Sequence, residues 1–169
     1  MACTRDMPSL TIRDRIQLRI LDVLSRRGIY LGRRSARVHV ALYRRSGGRL
    51  GGRVPGWREA RILLVDHIGA KSGISRTSPL IYHEHGDAVA VVGSKAGQPT
   101  HPAWFHNLST HPNTTIQIGL DVRSVRARLA NDEEREQLWP KLVDTFPAYD
   151  LYQRNSRGRK LPVVILEPR

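Results

Sequence analysis

The chain has 169 residues, with 28 Lys and Arg against 15 Asp and Glu and a formal net charge of +13. That length holds one domain with a real core plus an appendage, and it excludes two ordinary domains. The charge calls for an acidic partner such as nucleic acid, an anionic membrane or a polyanionic small molecule. The single cysteine, Cys3, excludes an internal disulfide framework, a cysteine-based zinc site and an iron–sulfur cluster, and it fits a reducing, cytoplasmic compartment. The basicity is uneven: residues 1–60 hold 14 Arg and no Lys against 4 acids, a net of +10. No apolar run reaches the roughly 18 residues of a spanning helix, and arginines stud the first thirty residues in place of a cleavable leader. A protein neither secreted nor integral to a membrane is expected.

In chain order, residues 10–26, "LTIRDRIQLRILDVLSR", set Ile12, Ile16, Ile20, Val23 and Leu24 at helical spacing, with Arg13, Asp14, Arg15, Gln17 and Arg19 largely between them. This predicts a basic amphipathic helix. Two seats suit it: its apolar side packs on the core with solvated arginines outward, or it lies on an anionic membrane, where each basic residue adds roughly 1 kcal/mol of attraction. A second helix is expected near residues 34–45, with Val38, Leu42 and Tyr43 on its apolar side. Five glycines and a proline then make residues 46–56 a linker or an extended arm.

From residue 61 the period shifts toward strands in "RILLVDHIG", "TSPLIYHEHG" and "AVAVVGS", with "HGD" at 85–87 as a hairpin turn. A short helical piece holds "PAWFHNLS", and two more strands lie in "TTIQIGL" and "VRSVRARLA". Asn131 caps the helix "DEEREQLWPKLVDTF" with Glu134 at the capping-box position, and "LPVVILEP" is the last strand. Central strands, flanking helices and no β-helix-β alternation predict an α+β fold around a mostly antiparallel sheet or small barrel. The expected division is a basic extension and glycine-rich arm over residues 1–56 and the core domain over 57–169.

Two turns suit anions. "GAKSGISRTSPL", residues 69–80, sets backbone amides in a glycine-loosened turn beside Lys71, Ser72 and Arg76, either as a nest for a phosphate or carboxylate or as an ordinary hairpin turn with exposed charges. "GSKAGQPTHPAWFHNLSTHP", residues 93–112, offers Ser94, Lys95 and Gly97, then Trp104, Phe105 and Asn107. Two such turns after neighbouring strands suggest one elongated ligand. Either Trp104 or Phe105 belongs to the core by the usual fate of adjacent helical aromatics. His83 and His85 share one side of a strand, but no carboxylate or cysteine cluster completes a metal set, and no metal is expected. No nucleophile elbow and no helix-turn-helix, zinc-finger, RNP or KH signature is present, so nucleic acid is not an expected partner.

Joined together, "GAKSGISRTSPLIYHEHGDAVAVVGSKAGQPTHPAWFHNLSTHPNTTIQI", "ARLANDEEREQLWPKLVDTFPAYDLYQ" and "LPVVILEP" resemble the deazaflavin-dependent nitroreductases of actinobacteria, from about Leu42 to Arg169. The resemblance implies a split β-barrel, an F-420-dependent reductase, and the coenzyme F-420, whose tail carries a phosphate and a chain of glutamates. It implies that Lys71, Ser72 and Arg76 bind that tail and that Ser94, Lys95 and Gly97 form the second turn beside the coenzyme. Pro79, Ala103, Trp104 and Asn107 match positions lining the ring system and linker.

By the same resemblance a quinone or nitroaromatic acceptor is walled by "FPAYDLYQ". Tyr149 would hydrogen-bond or protonate the acceptor, Tyr152 would support it, and Ser94 would bond an acceptor oxygen. Phe146 and Ile81 stand where the family's better-known nitroreductase has tyrosines, which puts activity on bulky nitroimidazoles in question. A quinone acceptor gives residues 10–45 a purpose at the inner face of the cell membrane. The competing expectations are a related barrel using FMN or haem, and a non-catalytic F-420 carrier.

Overall fold

The computed structural model describes residues 11–27 and 33–169. Cys3 and Leu10 lie outside them, as do residues 28–32 of the 10–45 segment. Helices α1 (Ile12–Arg26) and α2 (Arg33–Ser46) come first, followed by strands β1 (Arg53–Val54), β2 (Trp57–Ile68), β3 (Ser75–His85) and β4 (Ala88–Val92). After a single 3-10 turn at Lys95–Gly97 come α3 (Ala103–Thr110), β5 (Asn113–Ile118), β6 (Asp121–Leu129), α4 (Asp132–Thr145), α5 (Ala148–Asn155) and β7 (Val163–Pro168).

Every strand pairing is antiparallel, in the order β1-β2-β3-β4-β7-β6-β5, and β5 returns to β2 to close a six-stranded barrel. Closure rests on two pairs, Leu64 with Gln117 and Val65 with Ile116. The two-residue period of the strands separates two cores. Leu63, Val65, Val89, Val91, Val125, Val164 and Leu166 point into the barrel, where Trp104 and Leu108 of α3 join them. Ala60, Ala90, Val92, Val163 and Ile165 face outward under α4 and α5, which contribute Leu138, Leu142, Tyr149 and Tyr152, with Phe146 from the link between them.

Helix α4 starts as its sequence predicts: Asn131 Oδ1 accepts from the Glu134 amide at 2.8 Å and the Glu134 carboxylate accepts from the Asn131 amide at 2.9 Å. The same carboxylate takes both Nη atoms of Arg128 at 2.7 Å, and this holds the Glu134 pKa near about 2. Helix α5, absent from the sequence reading, begins after Pro147 and brings the "AYDLY" aromatics onto the outer core.

The two N-terminal helices turn faces other than the expected ones to the barrel. On α1 the stripe of Ile12, Ile16, Ile20 and Val23 is 79%, 54%, 55% and 48% exposed. Leu18 and Leu21 touch the outer core instead, and Asn155 Nδ2 donates to Asp22 Oδ1 at 2.8 Å and to Ser25 Oγ at 3.3 Å. The helix is therefore seated largely by polar bonds, which apolar periodicity does not register. On α2, Val38 and Leu42 are exposed and Tyr43 alone of the expected apolar trio is buried. The glycine-rich stretch after it is a bonded connection: the Gly48 amide donates to the Tyr43 carbonyl at 2.9 Å, and β1 pairs with β2.

Candidate coenzyme-binding site

Residues 69–74 reverse the chain between β2 and β3. The Ser72 and Gly73 amides both donate to the Gly69 carbonyl, at 3.1 and 2.8 Å, and the Ile74 amide reaches Ser72 Oγ at 3.4 Å. The Ala70 amide is taken by Asn107 Oδ1 of α3 at 2.9 Å. The Ala70, Ser72 and Gly73 amides are thus engaged within the protein, as in the ordinary hairpin turn that was the alternative to an anion nest. An anion here meets side chains: Lys71 and Ser72 are exposed, and Arg76 is half-buried at the start of β3. A Cβ at Gly69 would lie 2.5 Å from Ser72 Oγ and would turn that hydroxyl aside.

Asn107 is buried, and its amide fastens this turn to the barrel. Its Nδ2 donates to His67 Nδ1 at 2.8 Å, and His67 Nε2 lies 2.9 Å from Ser78 Oγ. Accepting at Nδ1 makes Nε2 the protonated nitrogen, so the ring is neutral. Burial, then the charge of Arg76, lower the His67 pKa, while Asp66 opposes them. His67 and Ser78 carry no motif of their own and escaped the sequence reading. Pro79 is half-buried opposite Leu64.

The second turn follows β4. Its Gly97 and Gln98 amides close onto the Ser94 and Lys95 carbonyls at 3.0 and 3.1 Å. Gly97 is buried at φ +72°, and a Cβ there would meet Ser25 Oγ at 2.8 Å and the Tyr152 carbonyl at 3.1 Å. Ser94 and Lys95 are half-buried beside it. The structure therefore brings the Lys95–Gly97 turn against α5, which carries Tyr149 and Tyr152, while Ser94 is bonded through its carbonyl to Arg159. Helix α3 links the two turns, with Pro102 near Gly93 at its start and Asn107 near Ala70 one turn on. Ala103 is exposed at that start, whereas Trp104 fills the barrel interior, 6.4 Å edge-on from the half-buried Phe105.

Tyr149 and Tyr152 are buried, and among the described residues the enclosed side-chain atoms without a partner are Gln17 Oε1 and Arg135 Nε, not the two hydroxyls. Burial pushes the Tyr152 pKa up to about 12, and burial followed by the neighbouring Tyr152 raises Tyr149 as well. Both therefore keep their protons at neutral pH and can donate a hydrogen bond. Phe146 packs edge-on against Trp57 at 5.8 Å and Tyr149 at 5.3 Å, and Ile81 lines the same core. This wall is apolar apart from two phenols. Among the described residues no group of three metal-ligating side chains comes together.

The closed antiparallel barrel and its sequence are matched by known proteins. The family model described as F420H(2)-dependent quinone reductase matches residues 35–168. The chain belongs to that family. An F420H(2)-dependent quinone reductase of Mycobacterium tuberculosis is 37% identical over 144 residues, covering 83% of this chain and 94% of the relative. The solved structure of an F420-H2 dependent reductase superposes with a TM-score of 0.58 at 39% identity, over 63% of this chain and 93% of its own. A solved chain described as a domain-swapped dimer gives 0.61 at 33% identity, over 79% and 96%. Family membership agrees with the split barrel observed here.

Proposed function

We propose that this chain is a reductase that takes a hydride from the reduced deazaflavin F-420 and gives it to a quinone. The observation that carries the reading is the pair of buried phenols of α5, kept protonated by burial, in a member of the quinone reductase family. The donor set suits the coenzyme: Lys71, Ser72 and Arg76 would hold its phosphate and glutamate tail. Ser94, Lys95 and Gly97, with Pro79 and Ala103, would flank its linker and rings, while Asn107 and Trp104 hold the site in shape from below. When bound, that coenzyme supplies a two-electron donor in the form of a ring-carbon hydride.

The protein's own tasks are then to place the acceptor and steady its oxygens. Tyr149, whose raised pKa keeps its proton, donates a hydrogen bond to the acceptor oxygen that gains negative charge, with Tyr152 and Ser94 assisting. The apolar wall of Phe146, Trp57 and Ile81 excludes water and fits a flat quinone ring, which favours quinones over nitroaromatic acceptors. Residues 57–169 carry this chemistry, and residues 1–56 serve as the extension.

The outward stripe of α1, flanked by Arg13, Arg15, Arg19, Arg26 and Arg27, supports a seat on an anionic membrane surface, where a lipid-soluble quinone would be met. No helix among the described residues is long and apolar enough to cross a membrane.

Turnover of menadione and of a nitroaromatic by the full chain, with reduced F-420 as donor, tests the reading. Menadione reduction is expected, with Tyr149→Phe lowering kcat by about 10- to 100-fold. Tight coenzyme binding without turnover of any acceptor indicates a carrier, and an FMN complex with no deazaflavin binding sinks the assignment. Co-sedimentation with phosphatidylglycerol vesicles, lost on Ile16→Glu with Ile20→Glu, tests the surface seat; sedimentation unchanged by these substitutions overturns it.

A further inference from the structure

The segment from Gly93 to Gln98 has an improbable backbone. Lys95, Ala96 and Gly97 follow one another at φ 47°, 49° and 72°, and only the last is a glycine. Two side-chain-bearing residues in the left-handed region persist where the surroundings over-determine them. Those surroundings are specific. Arg159, which follows the left-handed pair Arg157 and Gly158 between α5 and β7, lays its whole guanidinium fork on this segment. Its Nε donates to the Gln98 carbonyl at 3.0 Å, Nη1 to the Gly93 carbonyl at 2.9 Å, and Nη2 to the Ser94 carbonyl at 2.8 Å. Nη1 also lies 3.2 Å from His101 Nδ1. From the opposite side, Ser25 of α1 donates to the Ala96 carbonyl at 2.7 Å and accepts through its own carbonyl from Gln98 Nε2 at 3.1 Å.

Among the described residues no carboxylate pairs with Arg159, although it is half-buried. An arginine in that state leaves its charge for a ligand to neutralise, and its planar fork, unlike an ammonium, matches several acceptors at fixed angles. We propose that Arg159 is a positioning residue for the coenzyme: it holds the 93–98 turn in its left-handed form, so that Ser94 and Lys95 face an acidic ligand, and lends that ligand an un-neutralised positive charge. Ser25, itself buried, is its counterpart from α1, which makes the seat of α1 part of the binding turn. The inference rests on the reading of this turn as coenzyme-binding.

The test compares wild type with Arg159→Lys and Ser25→Ala in the full chain. Lysine keeps the charge and loses the fork. Without any coenzyme, amide exchange at Gly97 and Gln98 is expected to quicken about tenfold in Arg159→Lys, while amides of β4 and β7 exchange as before. With reduced F-420 and menadione, the KM for the coenzyme is expected to rise about tenfold and kcat to stay within about twofold. Ser25→Ala is expected to move both readouts in the same direction by about threefold.

An unchanged turn and an unchanged KM in Arg159→Lys overturn the proposal. So does a uniform rise in exchange over the barrel with KM unmoved, the signature of general destabilisation. If Arg159→Lys does not fold, Ser25→Ala decides: no change in exchange or KM overturns the inference. A wild type that binds no deazaflavin, with a turn that still loosens in Arg159→Lys, fails the coenzyme reading and leaves Arg159 as the anchor of the turn alone.

Discussion

The turn at residues 69–74 leaves Lys71 and Ser72 in solvent and is fastened to the barrel through one side chain, Asn107, whereas the turn at 93–98 is bonded by Arg159 on one side and Ser25 on the other, against α5. In the proposed function the first would serve capture: exposed charges on an open turn attract an acidic tail at a distance. The second is tied to Arg159 and Ser25, so its backbone is fixed at several points and a ligand bound there meets groups already in place. Long-range attraction and close fit are thus divided between two turns joined through α3.

Substitutions separate the two. The largest effect is expected from Gly97→Val, which puts a branched side chain in left-handed backbone and into Ser25 Oγ at 2.8 Å; about 3 kcal/mol, or roughly 100-fold in coenzyme affinity, is expected by fluorescence titration. Affinity within threefold of wild type would show that the second turn need not be rigid.

Next comes Asn107→Leu, similar in size but unable to serve either His67 or the Ala70 amide. It should cost about 1–3 kcal/mol of stability in urea and about tenfold in affinity, with little dependence on salt. Lys71→Ala, at an exposed charge, should weaken binding only about two- to fivefold, and the difference should shrink toward nothing at 1 M salt. A salt-independent loss in Lys71→Ala would contradict the capture role.

The smallest expected effect is on pH. The folded pKa of His67 is depressed below its ordinary value of about 6.5. Its contribution is therefore complete above that value and lost as pH falls through the folded pKa, because the unfolded chain takes the proton first. Stability and binding at the first turn should decline below about pH 6.5. His83 and His101 are also held neutral by burial, so the share of His67 is the part of the slope missing in His67→Gln. An identical slope in that variant would remove His67 from the account.

Where local chemistry and tertiary packing agree, the sequence was readable. Strands β2 to β7 and the Asn131–Glu134 box of α4 came from alternation and capping, because these signals are written in adjacent residues. The structure sets Gly97 against the Tyr152 carbonyl of α5, a contact between positions far apart in the chain that no adjacent residues announce. Helix α5 was missed because its start at Pro147 has no side-chain cap. The amphipathic pattern of α1 was real, yet its orientation was set by Asp22 and Ser25, whose partner Asn155 lies 130 or more positions away. Arg159 gave no signal, since its partners are carbonyls, which every residue possesses. Between an anion nest and an ordinary turn the sequence left the choice open, because it does not show that the Ser72 and Gly73 amides go to Gly69 and the Ala70 amide to Asn107.

Tyr43 carries one more consequence. Its hydroxyl donates to the Ile62 carbonyl at 3.0 Å and accepts from the Gly119 amide at 2.9 Å, beside the short β2–β5 closure, and Arg44 reaches Asp66 at 2.8 Å across the same junction. Helix α2 therefore acts as the latch on the barrel's narrowest joint. A shortened chain that begins after residue 32 keeps this latch, whereas one that begins at Trp57 gives it up, and the second should melt earlier and exchange its β5 amides first. The smallest unit that holds its shape is then larger than the barrel alone, and it starts where the family's shared sequence starts, near residue 35.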